Sequence, residues 1–284
     1  MAEIRKVAVI GAGTMGNGIA QVLSHAGYKV AMMDVKQEFL DRGFESIKNS
    51  LTRMQEKGKV SSEQVAQILD NIDGTLDIKT AASDADLVIE AVPEELELKK
   101  DIFRQLDDVC PAETILASNT SNCSITTIAS ATGRPEKVIG MHFSNPVPIM
   151  VGVELITGLD TSEDTLQTAK DVVKKINKEF WVAKDSPGFA GSRVLLLYIN
   201  ECFLILGEGI ATAEDIDRNF KLALNHPMGP LELADLIGLD QLLHGLEYMN
   251  KEFGEKFLPS PLLKKLVAAG YYGRKTGRGV YKYT

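Results

Sequence analysis

His142 closes a short apolar run, residues 138–141, and Glu154 sits inside another, residues 153–156, 12 positions further on. An imidazole titrates near neutrality, so it can take a proton from a carbinol oxygen or return one. A carboxylate on the other ring nitrogen would fix the tautomer and support the charged ring. Val153 and Leu155 flank Glu154. An unpaired carboxylate buried among them is costly, which favours the pair over an isolated structural histidine. Asn119-Thr120-Ser121 follow the apolar run 114–117. Polar groups just past a strand end can bond a carbonyl or hydroxyl, although a simple Asx or Ser turn uses the same residue types.

A second constellation lies near the start of the chain. Gly11-Ala12-Gly13-Thr14-Met15-Gly16 follows the apolar run 7–10 and opens a helical pattern over 15–26. The glycines of such a turn permit a tight bend, a close backbone approach and close helix–strand packing, and the helix N-terminus suits a diphosphate. Asp34 ends the next apolar run, 29–33, where a carboxylate bonds ribose hydroxyls and repels a 2′-phosphate. Val35 and Lys36 follow rather than an arginine. The pattern predicts NAD rather than NADP. His25, His226 and His244 read as structural, and no HExxH or Cys/His cluster occurs, so no metal is expected.

These residues require a scaffold that brings strand ends together. Apolar runs at 7–10, 29–33, 87–89, 114–117, 138–141 and 153–156 alternate with helical patterns at 15–26, 95–109 and 163–177. Such alternation predicts a doubly wound parallel sheet of Rossmann type. Between 39 and 72 it pauses for two helical patterns broken at Lys57-Gly58-Lys59, an inserted helical hairpin with its second N-cap at Ser61-Ser62. Past Asp185-Ser186-Pro187-Gly188 only helices are expected, at 189–206, 213–224, 231–237, 241–253 and 261–268, with a short strand at 280–283. The predicted domains are 1–186, α/β, and 187–284, all-α.

Composition narrows the partners. The 284 residues are 44% hydrophobic and 25% charged with a net charge of −8, so a packed core is expected and a nucleic-acid partner is not. No stretch is long and apolar enough to suggest a membrane span. Residues 1–6 lead straight into a strand pattern without a secretion signal. Cys110, Cys123 and Cys202, odd in number and without a CxxC pair, read as reduced packing thiols of a cytoplasmic protein.

Over essentially its whole length the chain resembles the short-chain L-3-hydroxyacyl-CoA dehydrogenases. The carriers are residues 9–16, Ala117-Ser-Asn-Thr-Ser121, Gly140-Met-His-Phe143 with Asn145-Pro146, His226-Pro-Met-Gly-Pro230 and Gly273-Arg-Lys-Thr-Gly277. The resemblance implies NAD-dependent oxidation of (S)-3-hydroxyacyl-CoA, 3-hydroxybutyryl-CoA above all, and the reverse reduction, in fatty-acid and butyrate metabolism. It implies His142 as acid/base, Glu154 as its partner and Ser121 as a bond to the 3-oxygen. Asp34, Glu94, Lys99, Asn119, Asn145 and Lys275 match cofactor contacts; Ser50 and Lys57, in the inserted hairpin, match contacts to CoA. Lys57 lies near Arg53 and Lys59, a basic setting suited to phosphate. A homodimer built on the helical domain is expected.

The sequence departs from the family pattern at Ser144, where a second Phe is usual; at Val151-Gly152, where Lys-Leu is usual; and at Ser192, where Asn helps to position substrate and the catalytic His. A serine lacks the amide's paired donor and acceptor. The departures keep two other readings open: a dehydrogenase for an unusual acyl-CoA or a hydroxy acid without CoA, or a cofactor-binding homologue with reduced activity.

Overall fold

The computed structural model describes residues 4–283; residues 1–3, within the stretch read for a secretion signal, and 284 lie outside them. The chain forms two compact units that divide between Ser186 and Pro187.

The first unit runs β1 (Lys6–Ile10), α1 (Thr14–His25), β2 (Lys29–Met33), α2 (Gln37–Glu56), α3 (Ser62–Asp70), β3 (Ile72–Thr75), α4 (Ile78–Ala82), β4 (Leu87–Glu90), α5 (Leu96–Val109), β5 (Ile115–Ser118), α6 (Ile125–Ala129), β6 (Val138–Phe143), β7 (Gly152–Thr157), α7 (Glu163–Lys175) and β8 (Glu179–Lys184). The sheet order is β3-β2-β1-β4-β5-β6-β7-β8. Chain order reverses between β1 and β4, so the loops leaving their carboxyl ends diverge and open a crevice. Central strands β4 and β5 are buried along their whole length, which is why they read as continuous apolar runs.

The expected parallel sheet is interrupted once: β6 and β7 are antiparallel. β3 and β8 were not anticipated from the sequence. Both are edge strands: β3 carries Asp73 and Gly74 and so shows no apolar run, whereas β8 carries the run Phe180-Trp181-Val182-Ala183 although most of the strand is exposed. The five-residue helices α4 and α6 are too short to show a helical period.

The hairpin insertion is α2 and α3. Leu40, Gly43, Ile47 and Leu51 form the buried stripe of the 20-residue α2, the spacing of one helix face. At Ser61 a capping box starts α3: Gln64 N donates to Ser61 Oγ at 3.2 Å and Ser61 N to Gln64 Oε1 at 2.8 Å.

The second unit is helical: α8 (Gly191–Gly207), α9 (Ala213–Ala223), α10 (Pro230–Ile237), α11 (Leu239–Phe253) and α12 (Pro261–Ala268). Leu196, Phe203, Leu231, Leu246 and Phe257 anchor its core. The strand expected at 280–283 does not form. Isolated bridges join Gly273 to Arg278 and Arg278 to Lys282, because Val280 N and Tyr281 N donate instead to the Asp235 carboxylate, each at 2.9 Å. Among the described residues no helix is long and apolar enough to cross a membrane, and no three potential metal ligands gather. Burial pushes the thiols of Cys110 and Cys202 up to about 11 and about 12, as befits packing residues.

Candidate active site

The antiparallel register of β6 and β7 sets His142 directly opposite Glu154, and directly opposed residues share one face of a sheet. His142 Nδ1 lies 3.4 Å from Glu154 Oε2, and His142 Nε2 lies 3.0 Å from Ser121 Oγ. An ionised Glu154 can only accept, which assigns the proton of the neutral ring to Nδ1 and leaves Nε2 to accept from the Ser121 hydroxyl. The carboxylate side chain is 1% exposed and the imidazole 22%. The imidazole is therefore partly open to solvent while its carboxylate partner is shielded.

Ser121 belongs to the loop that leaves β5. Asn119 N donates to Glu90 O at 2.8 Å, and Asn119 Oδ1 accepts from Phe143 N at 2.9 Å. Asn119 thus ties the loop to β6 beside His142. Glu94 holds the next turn: its Oε1 accepts from Thr120 Oγ1, from Ser121 N at 2.9 Å and from Asn122 N at 2.8 Å. Burial would raise the Glu94 carboxyl, but the Lys99 charge and these donors outweigh it and hold it below the ordinary carboxylate range.

A cavity of about 750 Å³ lies at the divergence of β1 and β4, lined by residues 10–15, Asp34, Arg42 and residues 91–93 among others. Gly11 has φ +103°, and a Cβ on Gly16 would stand 1.7 Å from Gly11 O, so neither position admits a side chain. Beside Gly13 nothing stands within 4 Å of such an atom. The N-terminus of α1 has no side-chain cap and no acidic residue in its first turn, leaving its N–H groups to an anion. Asp34 is locked by donors from Ala12 N at 2.8 Å and Val35 N at 2.7 Å. These features fit a dinucleotide: a diphosphate over Gly13, a ribose at Asp34.

A second cavity, of about 500 Å³, is lined by Ser50, Arg53, Lys57, Lys59 and Asn145, and shares Thr14, Asn17 and Ser46 with the first. The two adjoin along one face of α2. Three cations at its wall suit a phosphorylated ligand.

Not every expected contact reaches a cavity. Lys99 is buried, with its ammonium turned to Glu90, Val92 O and Glu94; three inward acceptors keep it from the cavity wall. Ser192, the second residue of α8, and Lys275, paired with Asp240 at 2.7 Å, stand in the second unit. Arg42 and Asn17 were not singled out from sequence, although Arg42 continues the helical spacing of Ser46, Ser50 and Arg53, a signal within reach. Thr120, named with its neighbours as a polar group past a strand end, gives its hydroxyl to Glu94 across 26 residues, a partner no spacing marked.

Packing accounts for one of the departures. A Cβ on Gly152 would stand 2.8 Å from Trp181 Cζ3 and 3.7 Å from Ser144 Oγ. The indole occupies the space that a Leu at 152 would need, so Gly152 goes together with Trp181.

Comparison with known proteins shows the family. Residues 6–186 match the family model described as 3-hydroxyacyl-CoA dehydrogenase, NAD binding domain, and residues 188–283 that of the C-terminal domain. The chain is 47% identical to a probable 3-hydroxybutyryl-CoA dehydrogenase of Bacillus subtilis, over 99% of this chain and 98% of that one. It is 46% identical to the 3-hydroxybutyryl-CoA dehydrogenase of Clostridioides difficile, over 98% and 99%. The solved structure of (S)-3-hydroxybutyryl-CoA dehydrogenase from Ralstonia eutropha is similar at TM-score 0.95 and 45% identity, covering 99% of this chain and 100% of that one. The chain belongs to the 3-hydroxyacyl-CoA dehydrogenase family.

Proposed function

We propose that this protein interconverts (S)-3-hydroxybutyryl-CoA and acetoacetyl-CoA with NAD. The observation that carries the reading is the imidazole of His142 held between Ser121 Oγ at 3.0 Å and Glu154 Oε2 at 3.4 Å. In oxidation His142 Nε2 takes the proton of the 3-hydroxyl; in reduction the imidazolium returns it to that oxygen. Glu154, shielded from water, stabilises the imidazolium and keeps the ring's orientation. Ser121, with Ser192 in the family Asn's place, bonds the 3-oxygen. When bound, the dinucleotide supplies the two-electron exchange with C3. Residues 11–16 and Asp34 hold its diphosphate and ribose; Glu94, Asn119, Asn145 and Lys275 complete its contacts, as family resemblance suggests, and Lys99 acts on it at most through Glu94.

Ser50 and Lys57 bind the CoA portion, and the basic cavity favours CoA over a free hydroxy acid. Residues 1–186 serve as the cofactor domain and 187–284 as the substrate and dimerisation domain of a cytoplasmic homodimer working in fatty-acid and butyrate metabolism. The test is a spectrophotometric NADH assay with acetoacetyl-CoA, run beside His142→Ala and Lys57→Ala. The native chain should turn over and His142→Ala should not; a His142→Ala protein at full rate refutes the scheme. Lys57→Ala should raise KM for acetoacetyl-CoA by about three- to tenfold with kcat retained, the signature of lost uniform binding.

A further inference from the structure

Beneath the Ser121 loop lies a buried ion pair to which the scheme above gives no part in aiming the proton-transfer groups. Glu90, the last residue of β4, is 0% exposed, and Lys99, in the first turn of α5, is 1% exposed. Lys99 Nζ donates to Glu90 Oε1 at 2.7 Å and to Val92 O at 3.2 Å, and lies 3.4 Å from Glu94 Oε2. Glu90 Oε1 also accepts from Val92 N at 2.7 Å, and Glu90 Oε2 accepts from Ser118 Oγ at 2.6 Å, at the end of β5. The pair therefore clasps the ends of both strands that lead into the site, and reaches Glu94.

Stability alone is a poor account of this arrangement. Withdrawing two charges from water costs so much that well-packed apolar substitutes often match or exceed a buried ion pair. What the ions do that apolar side chains cannot is orient a third charge. Burial alone would lower the Lys99 ammonium, but Glu90 and Glu94 hold it above its ordinary range. Glu94 thereby presents Oε1 to three donors from the consecutive residues Thr120, Ser121 and Asn122, which fixes the backbone that carries Ser121 Oγ to His142 Nε2.

We propose that Glu90 and Lys99 are positioning residues: they hold Glu94, and through it residues 120–122, so that the Ser121 hydroxyl meets both His142 and the substrate oxygen. The inference rests on His142 as the acid/base of the reaction and adds the device that aims its serine partner. In a near-attack geometry a displacement of about 1 Å can cost on the order of 100-fold, so a loop anchor is felt in turnover.

The experiment uses the full-length protein, with NADH affinity from fluorescence titration and kcat from acetoacetyl-CoA reduction. Lys99→Met should lower kcat, measured at NADH concentrations the titration shows to be saturating, by about tenfold or more. In a Ser121→Ala background the same substitution should cost less than about twofold, because the group it aims is gone. Glu90→Gln, nearly isosteric, should repeat the pattern with a smaller loss, and carries the test if Lys99→Met does not fold. An undiminished loss in the Ser121→Ala background, or an intact kcat at saturating NADH in both single variants, overturns the proposal. A native protein without turnover would refute the functional reading instead, so the two failures are distinct.

Discussion

The two units bury carboxylates at similar depth and satisfy them by different means. In the first, Glu90 meets an ammonium and Glu154 an imidazole, at 2.7 Å and 3.4 Å. In the second, Asp217 and Asp235 are 2% and 1% exposed, and among the described residues neither enters an ion pair. Asp217 accepts from Leu231 N at 2.7 Å and Glu232 N at 3.0 Å, the first turn of α10, and from Tyr281 Oη at 2.7 Å. Asp235 accepts from Val280 N, Tyr281 N and Tyr283 Oη, each at 2.9 Å. Burial and the Asp235 hydrogen bond push the Tyr283 phenol up to about 12, so it remains a donor at any working pH. Backbone amides and phenols are enough to bury a carboxylate that only has to pin a tail to a helix. Basic partners, an ammonium or an imidazole, appear where a proton or a precise orientation is needed.

That contrast divides substitutions into those that move turnover and those that move stability. The largest effect should be His142→Ala, with kcat down by about 10²- to 10⁴-fold and an unfolding midpoint in urea close to native. A comparable rise in unfolding there would blur the division. Asp235→Ala should do the reverse: it strands three donors and should cost about 2–4 kcal/mol of unfolding free energy, read by denaturant titration. If kcat fell while stability held, the tail clasp would belong to the chemistry after all. Glu154→Gln should lower kcat by roughly 10- to 100-fold and flatten its pH profile, since an amide orients the ring but cannot stabilise its charge.

The smallest effect is acid dependence at Glu94. Its folded carboxyl lies below the ordinary range, so it contributes stability above the unfolded value of about 4.3 and loses it as pH falls through the folded one. The gap in thermal midpoint between native and Glu94→Gln protein should therefore narrow as pH falls from neutrality into that range. A gap that widened would place the cause elsewhere.

Local patterns carried much of the outcome. The glycine turn, the acidic strand end, the inserted hairpin with its Ser61 cap and the helical second unit were all legible, because each depends on residues near one another in the chain and on periods of two or 3.6. His142 and Glu154 could be paired for a similar reason, since a buried carboxylate needs a partner. Of the edge strands, β3 lacks an apolar run because Asp73 and Gly74 interrupt it, while β8 carries one at residues 180–183 and was within reach of the sequence.

The remaining decisions join distant segments. The short connection 144–151 is too brief for a parallel crossover and so points to antiparallel pairing of β6 and β7, but only the register opposes His142 to Glu154. Nothing marks Lys99 as turned inward to Glu90 rather than outward to a ligand, nor Thr120 as the donor to Glu94. Nor does the chain announce that Trp181 fills the space over Gly152, so that an apparent change of active-site character is in part a matter of packing. Residue types state which chemistry is possible; which groups meet is set by strand register and by the high cost of leaving buried charges unpaired.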